Sequence, residues 1–244
     1  MKERPILFSA PMVRAILKGR KMQTRRKVFN KRTTDYQSIE ERDDGTPWPW
    51  RETEDAQDHW YPCPYGQPGD RLWVREAWRI GAWDDNGALC IDYFDGPRKE
   101  WVEIPEAADP QSSMYWRLVE QSSDDAAKIY GNQDRYEWEP GNSPCRWRPS
   151  IHMPRWASRI LLEVTGVRIE RLQDISDRGP ANDCTAEGVF HCGIPVPTYE
   201  QWHGDGFRSS EKWMYRKLWD QINGAGSWDA NPWVWVVEFK RVEP

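Results

Sequence analysis

No apolar run in the chain approaches the ~20 residues of a membrane-spanning helix, and no signal-peptide pattern follows Met1. These absences predict a soluble, cytoplasmic protein with no membrane partner. There is no internal repeat and no CxxC pair. The five cysteines, Cys63, Cys90, Cys145, Cys184 and Cys192, are odd in number and irregularly spaced, which argues against a disulfide framework. A structural zinc site takes about four N/S ligands, usually in close pairs. Only Cys184, His191 and Cys192 lie near one another in sequence. No metal and no cofactor is therefore expected. Apolar residues are scarce as well: they make up 38% of the chain, and mean hydropathy is -0.91.

Seventeen tryptophans offset that scarcity, because each buries a large area. With 244 residues the chain is long enough for a proper core. Net charge is -5, which argues against coating nucleic acid by bulk electrostatics. The charge is unevenly placed, however. Residues 14–32 hold nine bases and no acid, whereas residues 35–58 hold nine acids and only Arg42 and Arg51 as bases. This is the pattern of a local anion-binding patch beside an acidic insertion, or of two solvated segments that pair with each other.

Along the chain, residues 4–8 read as a strand. A helix then starts at Ser9 or Ala10, with Pro11 in its first turn. Val13, Ile16 and Leu17 form its apolar stripe, and Gly19 its left-handed stop. Residues 21–28 leave in an extended conformation. Gly66, Pro68 and Gly69 make a turn, with Asp70 capping it, into a strand in which Leu72 and Val74 alternate with Arg71, Trp73 and Arg75. Residues 88–94 form another strand, a hairpin partner across Asp84–Gly87. Residues 152–172 read as a long bent strand or a hairpin. A short helix ends at Gly188, a second covers 209–222 with a serine cap, and the terminal strand spans 232–242. Segments 31–62 and 95–150 have loop composition and read as irregular insertions. The expectation is one domain, 1–244, of α+β class: a small mixed β-barrel with a few short helices.

Two stretches carry a family resemblance. "ILKGRKMQTRR" (residues 16–26) is a helix ending at glycine, then lysine, two residues, threonine and arginine. "GDRLWVREAW" (residues 69–78) is a Gly-Asp turn into a strand. Together with "TAEGV" and the stretch "LWDQINGAGSWDANPWVWVVEFKRV", they resemble the ASCH domain family, relatives of the PUA RNA-binding fold, in the form encoded by phages and prophages. The resemblance covers about residues 4–30, 64–80, 150–190 and 210–242. It implies a PUA-like barrel and a partner that is RNA, single-stranded nucleic acid or a modified nucleoside. Small bacterial members hydrolyse the amide of N4-acetylcytidine with a Lys, a Thr and a Glu. Lys21 and Thr24 fall on that motif, and Glu187 and Glu76 are both candidates for the acid.

Amide hydrolysis needs a nucleophile, a proton acceptor and oxyanion donors. Thr24 supplies a hydroxyl, Lys21 a base and a glutamate an orienting partner. Arg20, Arg25 and Arg26 are candidates to bind phosphate. Trp73, with Arg75 beside it, and Trp78, Trp228, Trp233 and Trp235 are candidates to stack a base, one or two of them at most lining a site. In a regular strand, residues three apart face opposite ways, so Lys21 and Thr24 meet only if the chain turns or bulges after Gly19. Two further readings stand beside the amidohydrolase: a non-catalytic binding module for RNA, DNA or nucleotide, and a metal-independent ribonuclease. His152, ahead of "MPRW", is either catalytic or a structural hydrogen-bonder.

Overall fold

The computed structural model describes residues 1–28, 38–54, 57–84, 87–95, 99–103, 114–133, 136–179 and 182–243. Among them the order of elements is β1 (Glu3–Leu7), α1 (Ala10–Leu17), β2 (Gln23–Lys27), β3 (Ser38–Glu41), β4 (Pro47–Glu52), β5 (Asp58–Trp60), β6 (Arg71–Arg75), β7 (Trp78–Trp83), β8 (Ala88–Tyr93), β9 (Lys99–Glu103), α2 (Met114–Tyr130), β10 (Leu161–Arg171), α3 (Asp183–Ala186), α4 (Tyr199–Gly204), α5 (Ser210–Asn223) and β11 (Trp233–Val242). The architecture is mixed α+β. Its three sheets have the orders β1-β6-β10-β11-β2, β3-β4-β5 and β7-β8-β9. None closes into a barrel among the described residues. No described helix is long and apolar enough to cross a membrane.

The chain divides into two compact units, one of residues 1–4, 14–72 and 162–243, the other of 5–13 and 73–161. In the first, Trp235, Leu162, Leu172, Met214, Leu218 and Trp219 are buried. Trp235 meets Trp48 of β4 edge-on, ring centres 4.9 Å apart. In the second, Trp78, Ile80, Leu89, Ile91, Tyr93, Tyr115 and Leu118 form one apolar cluster with Cys145, Met153 and Ala157.

Local chemistry accounts for the ends of α1. Val13 N–H bonds to the Ser9 carbonyl, opening the helix. At the other end Gly19 adopts φ +66°. Its N–H donates to Ile16 and that of Arg20 to Ala15, the paired closure of a Schellman motif. That stop releases the chain into β2, an edge strand paired antiparallel with β11 in unbroken register from Val234↔Lys27 to Glu238↔Gln23.

Both segments expected to be irregular contain regular structure. Within 31–62 stands the β3-β4-β5 sheet, hidden in sequence by Pro47 and Pro49, which remove ladder donors. Within 95–150 stand β9 and the 17-residue α2. The buried positions of α2, Tyr115, Leu118, Ser122, Asp125 and Ala126, follow helical spacing, but two are polar, so the apolar stripe is thin. Ser122 Oγ donates to the Leu118 carbonyl and Asp125 accepts from Arg146 N–H, which satisfies both. Residues 31–37 and 104–113 of those segments lie outside the described residues, as do Asp85 and Asn86 of the β7–β8 connection. Residues 152–172 hold one continuous strand, the 11-residue β10, rather than a hairpin.

Candidate functional site

Glu187 is where the basic segment after Gly19 arrives. The Lys21 ammonium donates to Glu187 Oε2 at 2.7 Å and to the Glu187 carbonyl at 2.9 Å. Arg25 Nη1 reaches the other carboxylate oxygen at 3.2 Å. The Lys21 and Arg25 side chains are fully buried, and Glu187 nearly so. Glu187 caps the C-terminus of α3, whose start is closed by Asn182 accepting from Thr185 N–H. Gly188 follows in the left-handed region, φ +69°. A Cβ there would stand 3.0 Å from the Arg20 carbonyl and 3.1 Å from Lys21 Cβ. Glycine at 188 therefore allows the close approach that seats Lys21 on Glu187.

The cluster extends across the sheet face. Arg25 also bonds Glu170 of β10, Nη2 to Oε1 at 2.5 Å, and Asp183 of α3 at 3.0 Å. Gln23 Nε2 donates to Asp183 Oδ1 at 3.0 Å. Arg168 joins Glu170, Asp183 and Glu238. Burial alone would lower the basicity of Arg25, but Glu187 foremost, then Tyr215, Glu170 and Asp183, hold it above the ordinary arginine value. Burial would raise the pKa of Asp183, yet Arg25, Ser176 N–H, Gln23 and Arg168 bring it below the usual carboxylate range. Tyr215 is pushed well up by burial and then by Glu187. The cations of the cluster are thus matched by carboxylates, as buried charges must be.

Strand geometry decides where Thr24 goes. Gln23 and Arg25 both reach Asp183, and β2 pairs with β11 without a bulge. Successive side chains on such a strand alternate faces, so Thr24, buried opposite Val237, points to the other face. Lys21 shares Glu187 with Arg25 and lies on the Gln23–Arg25 side. No bulge brings Lys21 and Thr24 to one face.

The other expected site residues are spread out. Arg20 is exposed, with Nη1 3.4 Å from His191 Nδ1. His191 is held below the ordinary histidine range by burial and then by Arg20 and Lys18. Arg26 is half-buried on the Thr24 face, opposite Trp235. Glu76 lies in the other unit, clamped by Arg159 through Nε–Oε1 at 2.9 Å and Nη2–Oε2 at 2.8 Å. Burial raises its pKa, against the pull of Arg159. Trp73 is buried, with the Arg75 guanidinium 4.7 Å above its ring, and Arg75 Nη1 donates to the Ile151 carbonyl. His152 is exposed. Asp70 does cap its turn by accepting from Gln67 N–H, and it also accepts from Lys2 N–H and Arg4.

Sequence reasoning missed Glu170, Asp183 and Arg168. One signal was present: Arg168 and Glu170 are two apart on a strand, the spacing that puts opposite charges on one face. The first unit also holds a cavity of about 470 Å³ lined by Asp177, Arg178, Phe207, Arg208, Lys212 and Trp228. All five cysteines are buried free thiols, and among the described residues no three His, Cys, Asp or Glu side chains gather to hold a metal ion.

Compared with protein-family models, curated proteins and solved structures, the chain matches none.

Proposed function

We propose that this chain is an ASCH-type protein with a PUA-like core that binds RNA, single-stranded nucleic acid or a modified nucleoside, and does not hydrolyse it through Lys21 and Thr24. One observation carries the choice of binding over hydrolysis. Lys21 gives two of its three donors to Glu187, while the pleat of β2 turns Thr24 to the opposite face. A threonine nucleophile needs its proton acceptor within hydrogen-bond reach, and this arrangement does not offer Lys21 for that task. The ligand class is supported by the resemblance of residues 16–26 and 69–78. The cavity beside α5 supports it too, because Arg178, Arg208 and Lys212 there accompany Phe207 and Trp228. Cations and aromatic rings together suit phosphates and bases. The five-stranded sheet, with β1 and β2 at its edges, would be the PUA-like core.

Amide hydrolysis is the second reading. The buried Lys21–Glu187 pair at 2.7 Å favours it, since the resembled amidohydrolases use a lysine and a glutamate. The two readings differ in what variants do. Wild type should release no acetate from N4-acetylcytidine, leave RNA uncleaved, and bind a single-stranded oligonucleotide with an affinity that falls as salt rises. Thr24→Ser and Thr24→Ala should bind alike. Acetate release abolished by Thr24→Ala and partly kept by Thr24→Ser would establish the hydrolase instead. RNA cleavage without metal would establish the ribonuclease.

A further inference from the structure

The second unit contains a cavity of about 350 Å³ whose walls include Trp78, Arg146, Trp147, Arg148 and His152. Two guanidiniums of its walls converge on one neutral atom: Arg146 Nη2 and Arg148 Nη1 each stand 3.1 Å from Gln121 Oε1. Asp125 stands 3.7 Å from Arg146 Nε and is shared with Lys128 at 2.9 Å. Arg148 is less basic than an ordinary arginine, through burial first and the charge of Arg146 second. Among the described residues the positive charge here is less fully matched than that around Arg25.

Two buried donors lack acceptors as well. Trp78 is 2% exposed, and its indole N–H has no partner among the described residues; neither does Arg148 Nε–H. Buried polar groups are nearly always hydrogen-bonded, and these two donors find no acceptor among the described residues. At the mouth, Trp147 is 40% exposed. The Arg79 guanidinium lies 4.5 Å from the centre of its ring, and Phe94, 63% exposed, meets it edge-on at 5.4 Å. Solvent-facing rings interleaved with arginines form a stacking platform for unpaired bases.

We propose that this cavity is a nucleotide site for single-stranded nucleic acid, with a backbone phosphate on Arg146 and Arg148 and a base stacked on Trp147. The site shares a ligand class with the proposed function but rests on different residues, Arg146, Trp147 and Arg148, all in the segment that reads from sequence as an insertion. Its volume lies within the range of small-ligand sites, larger than phosphate alone requires.

The test measures binding of a fluorescein-labelled single-stranded 12-mer to the full chain by polarisation across a salt series. Inorganic phosphate, CMP and unlabelled duplex serve as competitors. Trp147→Ala should weaken binding about tenfold or more. Arg148→Met should weaken it and flatten the salt dependence by about one phosphate, and Arg148→Lys should keep part of both. Circular dichroism and thermal melting check that each variant is folded. CMP outcompeting the strand at equal nucleotide concentration would assign the site to free nucleotide and overturn the strand proposal, and so would duplex competing as well as single strand. Unchanged affinity in Trp147→Ala and Arg148→Met, together with loss in Arg208→Glu, would overturn this site and leave the nucleic-acid reading intact. Absence of any oligonucleotide binding by wild type would overturn both.

Discussion

Lys21 and Glu187 are 166 positions apart in the chain and 2.7 Å apart in the fold, both closed off from solvent. Removing one partner of such a pair strands the other charge in the interior. Glu187→Ala is expected to lower unfolding free energy by about 3–5 kcal/mol, read from urea denaturation midpoints. Adding Lys21→Met to Glu187→Ala should recover part of that loss, because the orphaned ammonium is gone. A double variant no more stable than Glu187→Ala alone would mean that Lys21 is not the group left uncompensated.

Gly188 is expected to resist replacement for two separate reasons. Its φ of +69° costs an L-residue about 1–2 kcal/mol, and a Cβ would press on the Arg20 carbonyl at 3.0 Å. That carbonyl is backbone and cannot swing aside. Gly188→Ala should therefore destabilise by more than the conformational cost alone. Gly131→Ala is the control: its φ of +75° is similar, but no atom lies within 4 Å of the built Cβ. Equal losses in the two variants would remove the close-approach argument for seating Lys21.

Asp70 sets an expected acid response. The N–H of Lys2 first, then the Arg4 guanidinium, hold its carboxyl down at about 2, below the ordinary ~3.9. A depressed acid favours the folded state above the unfolded value, and that advantage is lost as pH falls toward the folded value. Asp70→Asn should therefore be less stable than wild type at neutral pH. The gap should close between about pH 4 and pH 2. A gap that stays constant across that window in chemical denaturation would show that the loss comes from packing and not from the charge.

Much of the local structure is legible without coordinates. The stop of α1 at Gly19, the Ser209 cap that accepts from Lys212 N–H and the turn into β6 depend on residues a few positions apart. The same holds for the apolar runs of β10 and β11. Caps and periodicities are written in neighbouring side chains, so the sequence carries them directly. The helix α2 was masked because two of its core positions are polar and find their partners at Leu118 and Arg146.

Other features came only with the tertiary structure. The choice of Glu187 over Glu76 as partner of Lys21, the matching of Arg25 by Glu170 and Asp183, and the meeting of Arg146 with Arg148 on Gln121 all join segments distant in the chain. Such meetings leave no local period to read. Even Thr24 obeyed this division. That it sits on a strand followed from its neighbours, but whether it shares a face with Lys21 depended on the unbroken register of β2 against β11, and a one-residue bulge would have reversed the outcome.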